Sequence, residues 1–256
     1  MDWQANKDIV GGFLNEGIYS SEKMLAFGKK AWPEFAQHDL TAREYWEAYA
    51  SSFPDFVFGL YDKAKKEIIA RSICIPVRWD GDLSDLPEEG WGWALKNGVE
   101  NKGKLDPNYL CAIEISIAQE YKGQRLSYFL LEEMAKKARE IGVATLLAPV
   151  RPSMKTQFPL IPIDQYIKWP GPGGLPFDPW LRVHSRFGGE LIKPCLRSMN
   201  FDHPVQDWEE WTEQKFPGVG RYCVEGALEP LEVYDKNGAL YGRYTEPNVW
   251  IAHQIN

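Results

Sequence analysis

From Leu110 to Ala118 apolar and polar positions alternate with period two. Cys111, Ile113, Ile115 and Ile117 fall on one side, and Ala112, Glu114, Ser116 and Ala118 on the other. That alternation predicts a strand with one apolar face and one partly polar face. The period then changes. Leu126, Leu130, Met134, Ala138 and Ile141 recur at helical spacing and Phe129 widens the stripe. Glu132 with Lys136 and Glu133 with Lys137 sit four apart on the opposite face. Gly142 is placed to end this helix, and residues 143–150 read as a second buried strand.

Upstream, residues 22–35 and 41–51 read as two amphipathic helices, the second with Asp39 or Thr41 as N-cap. Pro54 marks a turn. Residues 56–61 and 67–77 then alternate as strands joined by the turn Asp62-Lys63-Ala64-Lys65-Lys66. Residues 80–107 are polar and rich in Gly, Pro and Trp, which predicts a loop excursion. Trp91 and Trp93 there either line a pocket or pack the loop. Residues 149–179 hold eight of the 18 prolines, so they form neither a helix nor a central strand. Phe158, Tyr166, Trp169, Phe177 and Trp180 give this stretch too much aromatic surface for a disordered linker, and an ordered loop is expected. Asp178 can cap a short helix that has Pro179 in its first position and stops at Gly188-Gly189, with a strand at 190–193 to follow. A helix around Trp208 and Trp211 and strands at 220–224, 231–234 and 241–251 complete the pattern, with Asn237-Gly238 as a hairpin turn.

Composition narrows the possibilities. A chain of 256 residues that is 44% hydrophobic can bury a substantial core. Its net charge of -7 argues against nucleic acid or an anionic membrane as the main partner. No apolar run reaches membrane-spanning length, and the first residues do not resemble a signal peptide. Cys74, Cys111, Cys195 and Cys223 are scattered without a C-x-x-C pair. Reduced thiols, a cytoplasmic location and no metal site are the expectations.

The connection between the strand at 110–118 and the helix at 126 reads Lys122-Gly123-Gln124-Arg125-Leu126-Ser127. It gathers free backbone N–H groups, the positive end of a helix dipole and two cations, a natural place for a phosphate or pyrophosphate. The whole stretch from 110 to 150 resembles the acyl-CoA-binding core of the GCN5-related N-acetyltransferase (GNAT) superfamily. That core carries a turn of the form Arg/Gln-x-x-Gly-x-Gly/Ala. Lys122 stands at the Arg/Gln position, whereas Arg125 replaces the usual glycine and Ser127 the glycine or alanine. Arg125 either directs its side chain away from the ligand or grips a phosphate oxygen directly. An ordinary βαβ unit of some other α/β protein is the competing reading.

The resemblance implies an α/β (α+β) fold: a mixed, mostly antiparallel sheet flanked by helices. It implies a single domain over residues 1–256, made of N-terminal helices and hairpin (1–109), CoA-binding core (110–150), insertion loop (151–180) and C-terminal half (181–256). Acetyl-CoA or another acyl-CoA is the implied co-substrate, contacted by Ile115, Ser116, Ile117, Lys122, Gly123, Gln124, Arg125, Leu126 and Ser127. Acyl transfer to an amine needs a base, an acid for the leaving thiolate and donors for the oxyanion. The family commonly keeps a catalytic glutamate on the strand that holds Glu114, although a salt bridge to a neighbouring strand explains Glu114 equally well. His184 falls where the family's general-acid tyrosine commonly sits, or it faces solvent or caps Asp178. Tyr166 and Tyr128 are weaker acid candidates. The loop 149–180 and the helix after it are expected to wall the acceptor, with Arg151, Trp180 and Arg182 as substrate contacts. Arg151 either receives an acidic acceptor or pairs with Asp164. The implied activity is N-acylation, most simply acetylation, of a small-molecule amine by a monomer or homodimer. A non-catalytic acyl-CoA-binding module is the alternative from a different class, and transfer involving a carrier-protein thiol is a third.

Overall fold

The computed structural model describes residues 6–255. Nine strands form one sheet in the order β1-β2-β3-β4-β5-β9-β8-β7, and β6 pairs with β9. β1 (Ile9–Phe13), β2 (Val57–Asp62), β3 (Glu67–Val77) and β4 (Tyr109–Ile117) are antiparallel neighbours. β5 (Thr145–Val150) lies parallel to β4, and α4 (Leu126–Glu140) makes the crossover that a parallel pair requires. β9 (Ala239–Gln254) holds the second half together. Its last residues pair with β5, its first with β8 (Leu231–Lys236), and β6 (Glu190–Pro204) runs antiparallel to it through two register shifts. β7 (Gly220–Tyr222) closes that edge.

The parallel pair is the weak seam. Only Leu110–Leu146 and Cys111–Leu147 are paired across it, and beyond them β4 and β5 diverge. Helices cover both faces. α1 (Ser21–Ala31), α2 (Leu40–Ser52), α3 (Gly90–Asn101) and α7 (Val205–Thr212) contribute Met24, Tyr49, Leu95 and Trp208 to the larger core. On the other face Leu131, Met134 and Ala138 of α4 meet Leu110, Leu146, Val249 and Ile251. Burying each such side chain stabilises the fold by about 1.5–3 kcal/mol before the cost of ordering the chain.

Several expectations need correction. Pro33 stops the first helix at Ala31, and residues 34–38 continue as a 3-10 turn. The excursion at 80–107 contains a full helix, α3. Its glycines hid it from a propensity reading, yet they are what lets it pack closely. A Cβ at Gly98 would lie 2.4 Å from Ile75 Cδ1, and one at Gly92 would lie 3.3 Å from the Ser198 carbonyl oxygen. β1 was not expected, and β6 continues well past Lys193. Between Asp39 and Thr41, the N-cap of α2 is Asp39, which accepts from the Ala42 and Asn200 amides.

Candidate active site

Where β4 and β5 part, a cleft of ≈ 1170 Å³ opens. It exceeds the roughly 300–1,000 Å³ of an ordinary small-ligand pocket. β4 supplies one wall from Ala112 to Ile117, the end of β5 with Arg151 the other, and α1 and α6 (Pro179–Arg186) cover it.

One mouth of the cleft is the turn into α4. Gly123 and Arg125 both take left-handed backbone (φ 78° and 61°). That curl leaves the N–H groups of residues 123–127 without an acceptor among the described residues, and it gives Arg125 the N-cap position with no side-chain cap. Lys122, Gly123, Arg125, Leu126 and Ser127 line the cleft, whereas Gln124 turns back to donate to the Glu120 carbonyl. Neither Lys122 nor Arg125 has an ion-pair partner among the described residues. A left-handed non-glycine residue costs about 1–2 kcal/mol. The conformation is the one that glycine adopts without strain, and at this position it carries a cation.

Deeper in the cleft, Glu114 is engaged on both oxygens. Arg71 of β3 donates through Nε to Oε1 and through Nη2 to Oε2, each at 2.6 Å, and Ser116 Oγ donates to Oε1. The side chains of Arg71 and Glu114 are 5% and 6% exposed. The salt bridge to a neighbouring strand is therefore formed. With three of about four acceptor sites filled, one position on Oε2 is left. Arg71 also donates through Nη1 to the Met24 carbonyl, fixing α1 over the cleft.

His184 lies at the cleft on α6, 2% exposed, with Nδ1 2.9 Å from His253 Nε2. It neither faces solvent nor caps Asp178. Burial, and then His253, hold its pKa well below the ordinary histidine value. Both causes disfavour the protonated imidazole that an acid role would need.

Other expected contacts lie elsewhere. Tyr166 is buried on α5 (Ile163–Tyr166), donates to Asp178 and is not at the cleft. Arg182 donates to the carbonyls of Pro176 and Phe177, so it secures the loop into α6. Phe158, Tyr166, Trp169 and Phe177 pack on one another, away from the cleft. Of the 151–180 segment only its two ends, Arg151 with Ser153 and Pro179 with Trp180, form cleft wall. Buried Lys155 anchors the segment through the Leu228 carbonyl at 2.6 Å and Glu229. Arg151 pairs with Glu246 at 2.8 Å, not with Asp164, and donates to the Gly226 carbonyl. Tyr244 also lies against its guanidinium, and Trp32 flanks it.

Sequence reasoning missed Arg71, Glu246, His253 and Trp32. Arg71 and Glu246 carried a signal, a charge inside an otherwise apolar strand pattern, which needs a buried partner. His253 and Trp32 carried none.

No family model matches the chain. Among solved structures, the loading GNATL domain of CurA from Lyngbya majuscula superposes with a TM-score of 0.61, at 16% identity over 96% of each chain. A GNAT-like decarboxylase, GphF, in complex with isobutyryl-CoA superposes with a TM-score of 0.55, at 12% identity over 97% of this chain and 99% of that one. The fold is that of the GNAT acyltransferases. In sequence the chain is similar to the arginine N-acetyltransferase avaD of Aspergillus versicolor, 26% identical over 252 residues, which cover 88% of this chain and 86% of that protein. The resemblance to the GNAT superfamily is thereby borne out in the fold, and in sequence the chain is similar to an N-acetyltransferase.

Proposed function

We propose that the protein transfers an acetyl group from acetyl-CoA to the primary amine of a small carboxylate-bearing acceptor, an amino acid or a close relative. The observation that carries the donor half is the turn, with unpaired N–H groups of residues 123–127 and two unpaired cations at the mouth of a cleft between diverging strands. A pyrophosphate there would meet main-chain donors and a helix N-terminus. The thioester would then lie along Ile115, Ser116 and Ile117.

The acceptor half rests on the opposite end, where Trp32, Lys30 and Arg151 line the cleft. The Arg151 guanidinium in that wall is the cation a carboxylate would meet. The similarity to an arginine N-acetyltransferase favours the same acceptor class. The neutral amine attacks the thioester carbonyl, the C–N bond forms and the C–S bond breaks. The free site on Glu114 Oε2 receives the ammonium proton, directly or through water, and the second amine proton ends on the CoA thiolate.

The test is release of CoA thiol from acetyl-CoA with α-amino acids, arginine first, set against their decarboxylated amines. Amino acids should react with a kcat/KM at least about tenfold higher, the value of one charged hydrogen bond. Arg151→Met with Glu246→Gln, which leaves no buried carboxylate unpaired, should remove most of that preference while acetyl-CoA affinity by calorimetry stays unchanged. No heat with acetyl-CoA at millimolar concentration would overturn the donor assignment. Equal rates for acids and amines would overturn the acceptor assignment.

A further inference from the structure

Behind the one histidine that lines the cleft stands a second, buried one. His184 and His253 are 2% and 1% exposed, and they come from α6 and from the end of β9. Trp180 lies edge-on to His184, with ring centroids 4.6 Å apart, and Phe187 lies against His253. Gly189 completes the enclosure, because a Cβ there would come within 2.5 Å of His253 Cε1. Burial lowers both pKa values, that of His253 to about 4.

Two neutral imidazoles carry two N–H protons on four ring nitrogens. At 2.9 Å one proton must lie between Nδ1 of His184 and Nε2 of His253. The other belongs either to His184 Nε2, the nitrogen left for the cleft, or to His253 Nδ1 in the interior. His253 Nδ1 is buried without a hydrogen-bond partner among the described residues. The Phe187 main chain favours a charged His253 but completes no such bond to Nδ1. A buried N–H with no acceptor is among the rarest groups in folded proteins, and leaving one unmade costs about 1–3 kcal/mol. The proton therefore sits on the cleft side.

We propose that His253 is a positioning residue whose Nε2–H fixes His184 as the tautomer with its proton on Nε2, so that the cleft presents a permanent neutral hydrogen-bond donor to the reacting thioester. This inference rests on the acyltransfer reading of the cleft. His184 then donates a hydrogen bond to the carbonyl oxygen or to the sulfur as charge develops, and no proton leaves it.

Two measurements on the full chain test it. The first does not depend on turnover: ¹⁵N–¹H long-range spectra of histidine-labelled protein, assigned with His38→Gln and His203→Gln. They should show His184 protonated on Nε2 and bare on Nδ1, and the reverse tautomer overturns the proposal even if acetylation is active. The second compares His253→Gln, whose amide N–H can replace the lost donor, with His253→Met, which fills similar space without one. The Gln variant should keep kcat within about threefold, and the Met variant should lose about tenfold or more with KM for acetyl-CoA unchanged. Equal losses in both variants, or losses that follow the melting temperature, mean that His253 only packs, and the proposal fails. A wild type that turns over no amine sinks the acyltransfer reading while the spectra still decide the tautomer.

Discussion

At the scale of single residues, the Arg71–Glu114 pair sets the terms for any proton transfer in the cleft. Three hydrogen bonds hold the Glu114 carboxylate, two of them to a guanidinium in bidentate geometry. Such an arrangement fixes the direction in which the carboxylate faces an incoming ammonium. It also makes single substitutions costly. Arg71→Met or Glu114→Gln alone should destabilise the protein by about 3–5 kcal/mol in chemical denaturation, because each leaves a buried polar partner unmatched. Arg71→Met with Glu114→Leu should recover at least half of that loss, and a fully additive double variant would show that the pair is not coupled. Glu114→Gln should also slow acetylation if the carboxylate takes the proton, a loss to be read beside this stability measurement. Of these partners, the alternation of β4 showed Ser116, on the same face as Glu114, but said nothing of Arg71 on the strand opposite.

At the scale of elements, the turn into α4 was the most legible part of the chain, because its chemistry is local. Gly123, the helical stripe from Leu126 and the alternation before it all lie within one stretch, and the structure keeps each of them. α3 was not legible, because its three glycines are explained by residues distant in sequence, among them Thr41, Ile75, Cys195 and Ser198, against which the helix rests. The acceptor wall was misjudged for a similar reason. The aromatics of 158–177 satisfy one another, a choice that composition cannot distinguish from filling a cleft. Arg125 offers the test at this scale. Arg125→Gly relieves about 1–2 kcal/mol of left-handed strain, but glycine's unfolded-state entropy takes back about 0.4–1 kcal/mol. Stability should therefore rise by between about 0 and 1.6 kcal/mol. If the guanidinium meets phosphate, acetyl-CoA affinity in calorimetry should fall by about tenfold. Unchanged affinity would mean that the side chain points away.

For the whole molecule, the histidine pair links the cleft to acid stability. Both folded-state pKa values lie below the ordinary 6.5, so the unfolded chain takes up protons first as pH falls. Stability from this source is level above about pH 6.5 and declines as pH drops from there toward 4, by about 1.4 kcal/mol per pH unit for each histidine. Denaturation of the wild type between pH 6.5 and 4.5 should show the decline, and His253→Met should make it shallower. The same slope in both would remove the pair from the acid response. Gly28 of α1 carries a consequence of another kind. A Cβ at that position would lie 2.2 Å from both Nη1 and Nη2 of Arg71. A side chain at 28 would therefore push the guanidinium off the two Glu114 oxygens, so the bare stretch of α1 over the cleft and the aim of the carboxylate inside it are one feature of the chain.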